Sequence, residues 1–207
     1  MGHLSEELLK KANLLLEIYP QKRSALIPIC HLAQGQDGYL TEEAIEEIAD
    51  LIGISAAEVR GTASFYDMFH LEPVGRHVIA MCTNIACMLQ GADELLDHAK
   101  RTLDVGLGGT TSDGEFTLEE AECLAGCNNA PCVQVNHRFF GPLDDKGFDK
   151  LIDDLKSGKL KEEVPSHGVL CTVERKQGLK ATKEQIQAER DVMETAKNER
   201  LAKKAAN

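Results

Sequence analysis

Apolar residues recur at helical spacing through the first part of the chain. Leu8, Leu9, Ala12, Leu15, Leu16 and Tyr19 predict a helix over 5–19, with Ser5 as N-cap, Glu6 and Glu7 in the positive first turn and Pro20 as the stop. A second helix is expected over 24–34. Pro28 falls near its first turn, where a missing N–H costs little, and Gly35 and Gly38 are read as breaks. Thr41 caps a third helix that lines up Ala44, Ile45, Ile48, Ala49 and Ile52 and ends at Gly53. Ser55 and Glu58 form a capping box for a fourth. Four short helices imply a small bundle, closed by Phe65-Tyr-Asp-Met-Phe69, which reads as core and domain interface, the alternative being a docking patch for a partner subunit.

The period then changes. After the connector Leu71-Glu-Pro-Val-Gly75, His77 to Cys82 reads as a buried strand, Ala92 to Leu103 as a helix and Phe116 to Cys123 as a second strand. Residues 132–136 and 138–141 form a hairpin across Asn136-His137. Phe148, Leu151, Ile152 and Leu155 line a closing helix that ends near Gly158. The order is β-α-β-β-β-α. Gly106-Leu-Gly108-Gly109 follows a helix and lacks a third glycine, so it is not a dinucleotide loop, and no NADH site is expected on this chain. In the last stretch, Thr182 and Gln185 form a capping box, with only a thin apolar stripe at Ile186, Met193 and Leu201. It is read as a solvated helical or disordered tail, the alternative being a basic arm docked on a partner or on its own body.

The expected fold class is therefore α/β. A helical bundle over 1–72 precedes a mixed domain over 73–160 and a C-terminal extension over 161–207. At 207 residues and 43% apolar content the chain can bury a real core, an aliphatic one since Trp is absent and aromatics reach only 4%. A net charge of −11 argues against a nucleic-acid partner. Nine Lys/Arg against six Asp/Glu from Thr172 onward leave −14 on the rest. No apolar run is long enough to insert in a membrane. No basic n-region with an apolar h-region opens the sequence, so a reducing compartment is expected and disulfides are not.

Cysteine placement carries the chemistry. Cys82-Thr-Asn-Ile-Ala-Cys87 is C-x4-C, Cys123-Leu-Ala-Gly-Cys127 is C-x3-C, and 35 residues separate them. Each loop is long enough to turn both thiols to one side, and the element between can bring the loops together. Placement between a strand and a helix N-terminus puts thiols in a positive field that favours the thiolate. Small residues, Ala125, Gly126 and Ala130, let backbone N–H groups approach the sulfurs. Four thiolates suit a [2Fe-2S] cluster, but the spacing overlaps that of zinc knuckles, so a zinc-stapled adaptor stays open. Cys30 and Cys171 read as ordinary thiols. Cys132 starts a strand and is expected to point into the sheet, a spare ligand being the weaker reading. The histidines show no paired spacing with the cysteines, so a Rieske-type site is not favoured.

From about Leu15 to Gly158 the chain resembles the 24 kDa-type [2Fe-2S] subunit family of respiratory complex I, the NADH:quinone oxidoreductase. The matching motifs are Tyr19-Pro-Gln-Lys-Arg-Ser-Ala-Leu, Gly38-Tyr-Leu, Ala63-Ser-Phe-Tyr-Asp-Met-Phe, Val78-Ile-Ala-Met-Cys82-Thr-Asn-Ile-Ala-Cys87 and Glu122-Cys-Leu-Ala-Gly-Cys127-Asn-Asn-Ala-Pro131. The resemblance implies a thioredoxin-like [2Fe-2S] ferredoxin domain behind a small helical domain, with Cys82, Cys87, Cys123 and Cys127 as cluster ligands. It, and not the spacing, lifts the iron–sulfur reading above zinc. It implies a one-electron carrier with no substrate site of its own, in an NADH-oxidising oxidoreductase. FMN and NADH are expected on a partner subunit. The same module also serves diaphorase units of NAD-linked hydrogenases and formate dehydrogenases. The location implied is cytoplasmic, peripheral to the inner membrane through the complex, and an isolated chain could pair with a second copy.

Overall fold

The computed structural model describes residues 2–164, 167 and 182–205. Cys171 and the segment just before the last helix lie outside them. The chain divides into two compact units: one holds residues 1–36 and 40–71 and the C-terminal helix, and the other takes residues 37–39 and resumes at 72.

The helical unit follows the apolar stripes. α1 spans Glu6–Ile18, α2 Leu26–Asp37 after a 3₁₀ turn at Lys22–Ala25, α3 Glu42–Ile52 and α4 Ala56–Ala63. Ser5 Oγ accepts the Leu8 N–H at 3.4 Å, Thr41 Oγ1 accepts that of Ala44 at 3.1 Å, and Ser55 and Glu58 form the reciprocal box. Gly53 ends α3 at φ 81°, a left-handed turn that glycine adopts without strain. Gly35 does not break α2 as expected. The helix carries through it because Ile29, Cys30, Ala33 and Gln34 are buried on both of its last turns, and packing overrides one weak residue. Gln34, 1% exposed, donates to the Met68 carbonyl at 2.8 Å and accepts the His70 N–H at 2.8 Å, fastening the turn after α4. Phe69 is buried there, whereas Phe65 is 79% exposed.

The last stretch forms a helix, α8, over Lys183–Ala205. Thr182 and Gln185 cap it reciprocally, at 2.8 and 3.2 Å. It is anchored: Ile186 is 6% exposed, and the Arg190 guanidinium donates to the carbonyls of Leu16 at 2.7 Å, Tyr19 at 2.7 Å, Pro20 at 3.1 Å and Glu17 at 3.3 Å. α1 has no basic residue in its last turn. Arg190 supplies the positive charge and the donors that the helix's orphan carbonyls lack.

In the other unit β1 spans His77–Cys82, β2 Phe116–Ala121, β3 Val133–Val135 and β4 Arg138–Phe140. The sheet order is β2-β1-β3-β4, with β1 and β2 parallel and the other pairs antiparallel. A short helix α5, Ile85–Met88, and α6, Ala92–Leu103, make the crossover from β1 to β2, and α7, Asp145–Lys156, follows the hairpin. Ile79, Met81, Leu95, Leu96, Phe116, Leu118, Val133 and Phe148 form the core. Asn136 and His137 take φ 44° and 66°, the left-handed pair of a tight hairpin. The buried Asn136 accepts the Val78 N–H at 2.8 Å and donates to the Arg76 carbonyl at 3.0 Å, lacing the hairpin to β1.

Removing the α1 cap is expected to cost about 1–2 kcal/mol, the worth of charge-assisted hydrogen bonds at a helix end. Urea unfolding of Arg190→Ala should show that loss. An unchanged midpoint would mean that α8 does not hold α1 in solution. A second expectation concerns acid. Burial pushes His77, His137 and His167 below the usual histidine range. Glu115 opposes this at His77 and the Gly75 carbonyl opposes it at His167, while Arg76 and His167 reinforce it at His77, and His167 and Arg138 at His137. Above a pH of about 6.5 all three are neutral folded and unfolded, so stability is full there. Below it the unfolded chain takes up protons that the fold refuses, and stability falls. The urea midpoint should drop between pH 7.5 and 5.5, and drop less in His77→Gln. Equal losses in the two proteins would remove His77 from the cause.

Candidate metal centre

Backbone pairing brings the cysteines together. In the parallel ladder Cys82, the last residue of β1, stands opposite Ala121, the last of β2, and Thr83 N–H extends it to the Ala121 carbonyl at 3.1 Å. Cys123 lies two residues beyond Ala121, at the same sheet end. On the other side of β1, Met81 pairs with Val133, and Cys82 N–H donates to the Cys132 carbonyl at 3.1 Å. Cys87 is not in an open loop as expected but on α5, whose N-cap Asn84 accepts the Ile85 N–H at 2.8 Å. That turn of helix folds Cys87 back to 1% exposure. Cys127 opens a 3₁₀ turn, Cys127–Asn129, and the peptide bond before Pro131 is cis.

Cys82 and Cys87 are buried, and Cys123 and Cys127 are exposed. The thiols of Cys87 and Cys123 favour the Cys82 thiolate. Burial pushes the Cys82 thiol up, but the Leu124 and Asn84 amides and these two thiols outweigh it and hold it below the usual range. Burial raises Cys87, with the charges of Cys82 and Cys127 reinforcing it and the Cys132 amide opposing. The Ala125 amide, on a residue at φ 56°, donates to Cys123 Sγ at 3.4 Å. Four thiols, with a backbone N–H bonded to the Cys123 sulfur, are a donor set that a [2Fe-2S] cluster takes. The thiols are not drawn in around a single point: among the described residues no three His, Cys, Asp or Glu side chains are grouped as one metal ion needs.

Cys132 differs from its expected place. It is 1% exposed, but it packs with Cys82, Cys87 and Ala92 rather than in the main core, and burial with the surrounding thiolates pushes it up to about 11. Cys30, in the helical unit, is pushed up to about 12 by burial. Sequence reasoning also missed an apolar collar. Ile85, Met88 and Leu89 on and after α5, and Phe139 on β4, are 65%, 43%, 72% and 52% exposed. Their signal was the i, i+3, i+4 spacing around Cys87.

The model of the thioredoxin-like [2Fe-2S] ferredoxin family matches residues 12–156. The chain belongs to that family. Among its relatives, an NADH-quinone oxidoreductase subunit of Mycobacterium tuberculosis is 43% identical over 154 residues, 74% of this chain and 60% of that protein. The chain thus spans less than two thirds of the mycobacterial relative's length. An NADH-quinone oxidoreductase subunit of Rhizobium meliloti is 40% identical over 68% of this chain and 84% of its own length. NADH-quinone oxidoreductase subunit 2 of Thermus thermophilus is 36% identical over 71% and 82%. Among solved structures, an air-oxidised NAD+-reducing [NiFe]-hydrogenase superposes with a TM-score of 0.60 at 24% identity, over 68% of this chain and 24% of that one, a likeness of fold.

The closest approach in the centre involves a glycine. A Cβ on Gly126 would stand 2.5 Å from Cys132 Sγ and 3.4 Å from the Phe139 ring, while its φ of −96° is ordinary. The constraint is space, not backbone strain. Gly126→Ala is expected to destabilise this unit by about 1–3 kcal/mol through overpacking. Adding Cys132→Ala should restore much of that in thermal melts. A double variant no more stable than Gly126→Ala would place the clash elsewhere.

Proposed function

We propose that Cys82, Cys87, Cys123 and Cys127 hold one [2Fe-2S] cluster. The chain then serves as an electron-transfer subunit in the NADH-oxidising module of NADH:quinone oxidoreductase. The observation that carries this is the arrival of both cysteine loops at one end of the sheet, with the Ala125 amide donating to Cys123 Sγ at 3.4 Å. When bound, such a cluster supplies a site that accepts and returns a single electron. The chain's own residues do the rest. The amides offset negative charge at the sulfurs without moving, because the ladders and turns fix them. Buried Cys82 and Cys87 keep water from one side, and exposed Cys123 and Cys127 leave the other open to a partner.

The partner is a subunit that binds NADH and a flavin. Hydride chemistry takes place there, and electrons are exchanged singly with this chain. Ile85, Met88, Leu89 and Phe139 would be covered in that contact, excluding water from the open edge. The relatives' names favour this complex. The likeness to the hydrogenase, being one of fold, leaves an equivalent diaphorase role as the second reading. Among the described residues no helix is long and apolar enough to cross a membrane. Attachment through the complex, on the cytoplasmic side of the inner membrane, fits that reading.

The purified chain is expected to be red-brown, to hold two irons and two sulfides, to bleach with dithionite and then to show an S = 1/2 EPR signal. Colourless protein carrying one zinc would make it a structural adaptor. In Cys123→Ala iron should fall below about a tenth of wild type, since the other thiol of that exposed loop, Cys127, is already assigned as a ligand. Full iron in that variant would remove Cys123 from the ligand set.

A further inference from the structure

We propose that Cys132 is a reserve ligand, a fifth thiol built into the wall of the metal centre that takes the place of Cys87 when that sulfur is lost. The inference rests on the cluster assignment above. Three geometric facts carry it. The β1–β3 ladder sets Cys132 beside Cys82, whose N–H donates to the Cys132 carbonyl at 3.1 Å. Cys132 and Cys87, each 1% exposed, pack in one small cluster with Cys82 and Ala92. The Cys132 sulfur lies against Gly126, the residue before Cys127, where only a hydrogen leaves it room.

Side chains alternate faces along a strand, so Cys132 lies on the opposite side from Val133 and Val135 and packs with its cross-strand neighbour Cys82. Its sulfur stands between the buried part of the first cysteine pair and the loop of the second. A cysteine has one side-chain torsion, so a change of χ1 alone re-aims its sulfur. In the exchange the Cys132 S–H bond breaks and its proton passes to water. One iron–sulfur bond then forms at the position that lacks the Cys87 thiolate. No electron is transferred, and the count of four thiolates is kept. Cys123 is exposed and lies outside the buried cluster that Cys132 shares with Cys82 and Cys87.

The test compares the full chain with Cys87→Ala, Cys132→Ala and the double variant, each reconstituted anaerobically with ferrous iron and sulfide. Iron and sulfide per chain, visible circular dichroism and EPR of the reduced protein are measured. Cys132→Ala should load as wild type with an unchanged spectrum. Cys87→Ala should keep at least about half of the iron, with shifted g-values, and the double variant should fall below about a tenth. Should the alanine variant not fold, the similar-sized, non-ligating Cys87→Val repeats the comparison, its loading again depending on Cys132. An empty Cys87 variant beside loaded wild type, or a double variant as loaded as the single, overturns the reserve role. Iron-free wild type after reconstitution overturns the cluster assignment itself, and the reserve role with it.

Discussion

The candidate metal centre depends on the register of one parallel strand pair. With His77 opposite Phe116 and Cys82 opposite Ala121, β1 and β2 end at the same level, and the chain leaves both strands directly into its cysteine loops. A slip of one residue would turn each strand's core side chains to the other face, so burial of Ile79, Met81, Phe116 and Leu118 fixes the register and thereby the spacing of the thiols. Core packing and site geometry are thus the same constraint. The antiparallel pairing with β3 adds Cys132 to the same end by the same logic.

Around that end the environment is asymmetric. Cys82 and Cys87 are buried, while Cys123 and Cys127 are exposed, as are Phe139 and the apolar residues Ile85 and Met88 of α5. Dense packing on one side holds the amide donors still, which is what electrostatic preorganisation requires. Apolar exposure on the other gives a partner something to cover. Close approach is achieved with a glycine at 126, where any larger residue meets the Cys132 sulfur.

The helical unit is held by a different device. Its helices are capped locally at their N-termini by Ser5, Thr41 and Ser55, but α1 ends without a basic residue in its last turn. Arg190, far along the chain, donates to four carbonyls at that end and docks α8 there. The C-terminal helix therefore belongs to the bundle rather than trailing from it.

Much of this was legible in the residues. The stripes of α1 and α3, the capping boxes at Ser55 and Thr182, the Asn136-His137 hairpin and the two cysteine pairs are local patterns, set by side-chain spacing and by the few residues that tolerate caps and tight turns. Matched motifs in order, from Tyr19 to Pro131, also marked the family. Other features were not legible because they are not local. Gly35 looked like a break until burial of its neighbours carried α2 past it. Cys87 looked like a loop residue until α5 folded it inward. Cys132 looked like a core thiol, and α8 like a loose tail. Each was decided by which segment a side chain or carbonyl meets across the fold. By itself the sequence determined the elements and the inventory of thiols. Only tertiary structure decided which sulfurs share a wall and which guanidinium closes a distant helix, because strand register and long-range capping depend on residues the local pattern does not contain.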